Sequence, residues 1–309
     1  MDVITRITFL DENGEKFFGE GPARLLQAIE EYGSLRSAAM SMNMAYTKAL
    51  KILKNAEKAI GFPLTARMTG GKDGGGSTLT PEGKVWLTGY LACRDACDKK
   101  NREIVRSYFP VTGCVIMASG MSRRFGSNKL LEDFHGRPMI LQILKATEGI
   151  FARRVVVTRH PEVAQLCREQ GAEAVLHDLP HRSDTIRLGL EALGDIDCCM
   201  FVPGDQPLLR KETMKELLRC WDLNRENIIR PVCGEIPGAP VVFPQWSLTE
   251  LVELPKGKGG NHVMKMHPER VLPMEISDPY ELMDADTPEI LEQLRQREKI
   301  LYDNGVKDE

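Results

Sequence analysis

An apolar run, Cys114-Val115-Ile116, leads directly into Met117-Ala-Ser-Gly-Met-Ser-Arg-Arg-Phe-Gly-Ser-Asn-Lys129. A buried strand that feeds a glycine-containing loop suits a polyphosphate, because the loop's N–H groups can form a nest for anionic oxygens. Gly120 and Gly126 permit close backbone approach. Arg123, Arg124 and Lys129 supply countercharge. Neither common nucleotide loop is present: there is no G-x-G-x-x-G, and no Lys-Ser or Lys-Thr closes a P-loop. A second apolar run, Cys198 to Val202, ends in Pro-Gly-Asp205-Gln-Pro. Asp205 falls just past the carboxyl end of that strand, where ligands collect in open α/β sheets. A carboxylate there can hold Mg²⁺, which prefers oxygen ligands shared with substrate phosphates.

Positioning these groups requires a sheet. From residue 112 the pattern alternates: strand 114–118, helix 138–148, strand 155–158, helix 162–170, strand 173–176, helix 183–193, strand 199–202, helix 211–221 and strand 228–232. This predicts a parallel, doubly wound, Rossmann-like sheet, with further strands over 238–243 and 271–276. Ser183 or Asp184 is the expected N-cap of its helix. Thr287-Pro288 is a clean helix start. The Gly257-Lys-Gly-Gly-Asn261 loop reads equally as an acceptor contact and as a plain capped loop.

The first third of the chain has another character. Ile4–Leu10 and Lys16–Phe18 flank Asn13-Gly14, a hairpin turn signal. A helix follows over Pro22–Glu31, broken by Gly33; Ser34 caps a short helix, Leu35–Met40, and Met42-Asn43-Met44 forms a turn. The next helix places Ala45, Ala49, Ile52, Leu53, Ala56 and Ile60 on one face and Lys48, Lys51, Lys54 and Lys58 on the other. Helix, tight turn and basic helix make a helix-turn-helix. Two short strands, 62–67 and 77–80, around the Gly70–Gly76 loop supply a wing. The residues expected on DNA are Tyr46, Thr47, Lys48, Lys51 and Lys54 of the helix and Lys72 of the wing. From Pro81 to about Tyr108 a long helix, with Val85, Leu87, Tyr90 and Leu91 apolar, connects to Phe109-Pro110.

At 309 residues the chain has room for two cores, expected over 1–109 and 110–309. The net charge of −3 rules out a strong overall field, but residues 45–84 concentrate Lys48, Lys51, Lys54, Lys58, Arg67, Lys72 and Lys84 against Glu57, Asp73 and Glu82. No signal-peptide core or membrane-length apolar run is seen. With eight cysteines, none in C-x-x-C spacing, the expected protein is cytoplasmic, reduced and without membrane partners. The scattered histidines suggest no zinc site.

The loop resembles the L-A-A-G-x-S-x-R-x-G-x-x-K signature of the molybdenum cofactor nucleotidyltransferases, cytidylyl branch. Gly120, Ser122, Arg124, Gly126 and Lys129 match it, and Met117 and Ser119 depart from it. The G-D-Q-P string at Asp205 and Met283-Asp-Ala-Asp-Thr-Pro288 resemble two further strings of that family. The resemblance implies a nucleotide site of Ala118, Ser119, Gly120, Ser122, Arg124, Gly126, Lys129, Ser183 and Asp184. It implies catalysis by Arg124, Lys129 and Asp205, and Mg²⁺ on Asp205 with Asp286 or Asp284. The implied substrates are CTP and molybdenum-molybdopterin, with a recipient molybdoenzyme or its chaperone as a further partner.

Residues 19–89 resemble the DNA-binding domain of the molybdate-responsive LysR-like regulators, through Leu25–Ile29, Gly33-Ser34, Ala38-Ala39, Thr69–Gly76 and Leu79-Thr-Pro-Glu-Gly83. That implies double-stranded DNA as a partner and a homodimer joined through the long helix. The expectation is therefore a winged helix-turn-helix domain followed by an α/β nucleotidyltransferase. A guanylyltransferase, a transferase for a sugar or alcohol phosphate, and a repressor that senses nucleotide or cofactor are the readings left open.

Overall fold

The computed structural model describes residues 3–68, 76–121 and 125–303. Contacts divide the chain into two units, Met1–Phe109 and Pro110–Glu309.

In the first unit β1 (Phe9–Leu10) pairs antiparallel with β2 (Lys16–Phe18) across Gly14, which adopts φ +77°. The expected longer first strand is shortened. Ile7 O accepts from Tyr90 Oη at 3.2 Å and Thr5 Oγ1 from Asn101 Nδ2 at 3.0 Å, so side chains of a later helix hold that segment. Then come α1 (Glu20–Tyr32), ended by left-handed Gly33, and α2 (Leu35–Ser41). Ser34 caps α2 by accepting from the Ser37 N–H at 3.0 Å. After a turn at Asn43 comes α3 (Tyr46–Ile60), ended by left-handed Gly61.

The strands β3 (Thr65–Met68) and β4 (Gly76–Leu79) are antiparallel. The 28-residue α4 (Pro81–Tyr108) follows; its cap Thr80 accepts from the Gly83 N–H at 2.9 Å. A Cβ at Gly83 would collide with Leu64 O, so this glycine lets α4 start against the strand hairpin. Leu25, Leu26 and Ile29 of α1 pack with Ala38 and Ala39 of α2 and with Ala49, Leu53 and Ala56 of α3; the alanines allow close approach of α2 and α3. Two expected apolar positions are not in this core. Ala45 is the exposed N-cap of α3, and Val85 on α4 is 74% exposed.

In the second unit the elements run β5 (Thr112–Ala118), β6 (Asp133–Phe134), β7 (Arg137–Pro138), α5 (Ile140–Ala146), β8 (Arg153–Thr158), α6 (Pro161–Glu169), β9 (Glu173–Leu176), α7 (Arg182–Leu193), β10 (Cys198–Pro203), α8 (Lys211–Leu223), β11 (Ile228–Cys233), β12 (Ile236–Pro237), β13 (Val241–Pro244), α9 (Gln245–Val252), α10 (Gly260–Met266), β14 (Val271–Glu275) and α11 (Pro288–Asp303). The main sheet has the order β12-β11-β13-β10-β5-β8-β9, with β14 on β11.

Strands β10, β5, β8 and β9 are parallel, as expected. The wholly parallel sheet is not: β13 inserts between β10 and β11 and runs antiparallel to both. The short return from β11 through β12 explains this, since a parallel crossover needs a dozen or more residues. Strand alternation sends side chains to two layers. Cys114, Ile116, Met200 and Val202 face α5, α6, α8 and α11, whereas Val115, Val155, Val157 and Phe201 face α7, α9 and α10. A Cβ at Gly189 would lie 2.7 Å from both γ carbons of Val115, so that glycine seats α7 directly on β5.

Candidate active site

The carboxyl ends of β5 and β10 hold the chemistry. Gly204 closes β10 onto β5: its N–H donates to Met117 O at 3.1 Å, and a Cβ there would lie 3.2 Å from that oxygen. This packing brings Asp205 to the loop that follows β5. In that loop Gly126 adopts φ +77°, which favours glycine. A 3₁₀ turn, Lys129–Leu131, follows, capped by Asn128 through the Leu130 N–H at 3.3 Å. His160 Nε2 lies 2.9 Å from Gly120 O and ties the start of the loop to the segment after β8.

Lys129 is buried, with Nζ 2.5 Å from Asp205 Oδ2 and 2.8 Å from Asp286 Oδ1. Burial alone would lower the lysine pKa, but the charge and hydrogen bond of Asp205, then those of Asp286, outweigh it and raise it. Asp286 is held close in turn: the Ala285 N–H donates to Asp205 O at 2.8 Å, and the Asp286 N–H donates to Asp284 O at 2.9 Å. Asp284 Oδ1 accepts from Gln206 Nε2 at 2.9 Å. Asp284 is exposed by area, yet protein atoms crowd its carboxyl. That desolvation, followed by the charge of Asp205, pushes its pKa up to about 6. Two carboxylates thus contact the Lys129 ammonium, with Asp284 beside them.

A cavity of ≈ 390 Å³ spans this place, lined by Ser119, Gly120, Lys129, Arg159, Thr185 and Asp205 among others. A second, of ≈ 340 Å³, shares Met117, Arg182, Pro203, Ala239 and Asp284 with it. Its walls carry Arg182, Arg230 and Asn261 over an apolar floor of Phe201, Phe243 and Met264. Burial lowers the pKa of Arg230, whose Nε donates to Gly238 O at 3.4 Å. The Gly257–Asn261 loop lines this second cavity through Gly257, Gly259, Gly260 and Asn261.

Ser119, Gly120, Lys129 and Asp205 meet on one cavity, with Ala118 buried at the end of β5 behind them. Ser122, Arg123, Arg124 and the wing residue Lys72 lie outside the described residues. Ser183 and Asp184 do not line the cavity. Ser183 Oγ accepts from the Gly257 N–H at 3.3 Å, and Asp184 Oδ2 from the His181 N–H at 3.0 Å. The N-cap of α7 is His181, two residues before the expected serine cap and three before the aspartate, and Arg182 and Thr185 face the cavity instead. Arg159 and Arg230 had no local sequence signal, because a single arginine after or within a strand fits any soluble protein. In the first unit, Tyr46, Thr47, Lys48, Lys51, Lys54 and Lys58 are all exposed along α3.

Residues 114–271, just over half of the chain, match the family of the MobA-like NTP transferase domain. The chain belongs to this family. Residues 23–84 match the bacterial regulatory helix-turn-helix protein, lysR family, so the MobA-like unit follows a helix-turn-helix unit. A 3-deoxy-manno-octulosonate cytidylyltransferase of Neisseria meningitidis serogroup A is 37% identical over 90 residues, 27% of this chain and 35% of the relative. One from Pectobacterium carotovorum is 33% identical over 103 residues, 30% of this chain and 41% of the relative. The chain therefore spans well under half the length of these relatives.

Rv0371c of Mycobacterium tuberculosis has a TM-score of 0.54 at 20% identity, covering 60% of this chain and 98% of that one. CMP:2-keto-3-deoxy-manno-octonic acid synthetase complexed with CTP has a TM-score of 0.52 at 18% identity, covering 61% and 98%. Molybdopterin-guanine dinucleotide biosynthesis protein A from Archaeoglobus fulgidus has a TM-score of 0.50 at 16% identity, covering 61% and 99%. These likenesses show the fold. Among the described residues no helix is long and apolar enough to cross a membrane.

Proposed function

We propose that the MobA-like unit transfers CMP from CTP to the terminal phosphate of molybdenum-molybdopterin, releasing pyrophosphate, and that the helix-turn-helix unit binds duplex DNA as a homodimer. The observation that carries the first part is the seating of Lys129 between Asp205 and Asp286 beside the glycine loop, on one cavity. The signature around Lys129 supports the pterin acceptor, and the cytidylyltransferase relatives support CTP.

In this reading a phosphate oxygen of the acceptor attacks the α-phosphorus of CTP, and the bond from that phosphorus to the β-phosphate oxygen breaks. Lys129 and Arg124 hold the triphosphate and neutralise the pyrophosphate as it leaves. Arg182 and Arg230 hold the acceptor's anionic group over the apolar floor, so the two reactants share adjoining cavities. The donor set suits Mg²⁺, since Asp205 and a carboxylate of the Asp284–Asp286 pair offer oxygen ligands. An ion there would take its remaining ligands from nucleotide phosphates. Bound there, Mg²⁺ would polarise the phosphate oxygens.

A second acceptor is favoured by a specific observation: the similar cytidylyltransferases are named for 3-deoxy-manno-octulosonate, and a sugar acid would also present an anion to Arg182 and Arg230. The test incubates the full chain and Mg²⁺ with each of the four nucleoside triphosphates and with either acceptor, and identifies products by mass. The cytosine dinucleotide of molybdopterin is expected. A guanine dinucleotide, or a CMP-sugar alone, would reassign the substrates.

A further inference from the structure

His177 follows β9 and is not explained by the fold. Its side chain reaches back across the end of β8, with Nε2 2.9 Å from Ser119 Oγ and 3.4 Å from Thr185 Oγ1. Ser119 Oγ also lies 3.1 Å from Val157 O. A carbonyl oxygen can only accept, so the single proton of the Ser119 hydroxyl goes to Val157. His177 Nε2 must then carry a hydrogen and donate it to Ser119. The other tautomer would draw the serine proton to Nε2, give up the bond to Val157 O and leave a buried Nδ1–H without an acceptor, because Nδ1 is enclosed and has no hydrogen-bond partner. Burial first, then the charge of Arg159, lowers the His177 pKa, against the opposite pull of Asp184 and Asp178. The ring is therefore neutral at neutral pH.

This arrangement fixes the polarity of Ser119. Its oxygen has given away its proton and taken one from His177, so towards the cavity it offers only a lone pair. Asp205 follows β10 and Ser119 follows its neighbour β5, and Ser119, Lys129, Arg159, Thr185 and Asp205 line one cavity. A triphosphate held at Lys129 thus leaves Ser119, on the same cavity, to meet its base. A fixed acceptor there welcomes an exocyclic amino group, such as the N4 amine of cytosine, and repels the O4 carbonyl of uracil.

We propose that His177 is a positioning residue that locks Ser119 as a hydrogen-bond acceptor for the amino group of the base, so that the pair selects CTP over UTP. The proposal rests on the nucleotide-site reading above. It is tested by equilibrium binding of CTP, UTP and pyrophosphate to the full chain with Mg²⁺. The wild-type chain should prefer CTP by about tenfold or more, because a site built to bond an N–H leaves its acceptor unpaired against the analogue lacking it. His177→Ala and Ser119→Ala should each bring the CTP:UTP ratio close to one, with pyrophosphate affinity unchanged in His177→Ala, and the double variant should lose no more than either single one. His177→Gln, whose amide still donates an N–H, should keep most of the preference. An unchanged ratio in both alanine variants, or equal wild-type affinity for CTP and UTP, overturns the proposal while the nucleotide site stands. Wild-type protein that binds none of the three overturns the nucleotide-site reading as well.

Discussion

Lys129 Nζ and Asp205 Oδ2 are 2.5 Å apart, and this contact joins the loop after β5 to the end of β10. Neither residue reaches the other through local structure; Gly204, pressed onto Met117 O, sets the approach. In the proposed function this pair is the cation that holds the triphosphate and the carboxylate that holds the metal, already together before substrate arrives. Lys129→Met should therefore weaken CTP binding by about tenfold to a hundredfold, because it removes a charge-assisted contact from a half-enclosed site. It should also leave Asp205, Asp284 and Asp286 facing one another, so that Mg²⁺ raises the melting temperature of the variant more than that of the wild type. Thermal scans with and without Mg²⁺ check this.

Gly204→Ala should separate positioning from charge. The added Cβ would lie 3.1 Å from Ile140 Cδ1 and 3.2 Å from Met117 O, a backbone contact that cannot rotate away. Asp205 keeps its carboxylate but shifts. The expected result is a fall of about tenfold or more in kcat with a modest stability loss, measured by turnover beside a chemical denaturation curve.

Much of this site was legible in the sequence, for physical reasons. Glycine loops, a buried strand and a strand-end aspartate are local features, so Gly120, Lys129 and Asp205 could be read without knowing the fold. The strand positions were legible because β5, β8 and β10 are continuous apolar runs covered on both faces. What could not be read depends on long-range packing. Insertion of β13 between β10 and β11 depends on pairing between distant segments. His181 capping α7 contradicts residue preference, and Asp184, an expected cap, serves from inside the helix instead. His177 is one histidine after a strand, and only its meeting with Ser119 and Val157 gives it meaning. Val85 followed the apolar pattern of α4 but points outward, since Gly83, Leu87 and Tyr90 set the buried face and Val85 lies between the first two on the opposite side of the helix.

A third expectation concerns pH. The folded pKa of His177 lies below its ordinary value of 6.5, so the unfolded chain takes up the proton first. The stability this neutral ring contributes is complete above 6.5 and is lost as pH falls through the folded pKa. Arg159 and Arg187 nearby favour the neutral ring, and Asp178 and Asp184 oppose them. Between pH 7 and pH 5.5 the wild-type melting temperature should fall further than that of His177→Gln. Parallel slopes for the two proteins would show that this group is not the one titrating.

For the helix-turn-helix unit, the exposed lysines of α3 should contact DNA phosphates. Lys48→Ala and Lys51→Ala in the full chain should weaken duplex binding at every sequence and lower the salt-dependence slope by about one each. Binding isotherms across a range of salt concentrations decide it. An unchanged slope would leave these lysines as a solvated face.

The most direct test of the account compares wild-type protein with Asp205→Asn in CTP-dependent pyrophosphate release, with Mg²⁺ and molybdenum-molybdopterin present. The account predicts one pyrophosphate for each cytosine dinucleotide formed by the wild type, and a rate lower by about a hundredfold or more in the folded variant. Equal rates in the two proteins, or no pyrophosphate from the wild type with any nucleoside triphosphate, would contradict it.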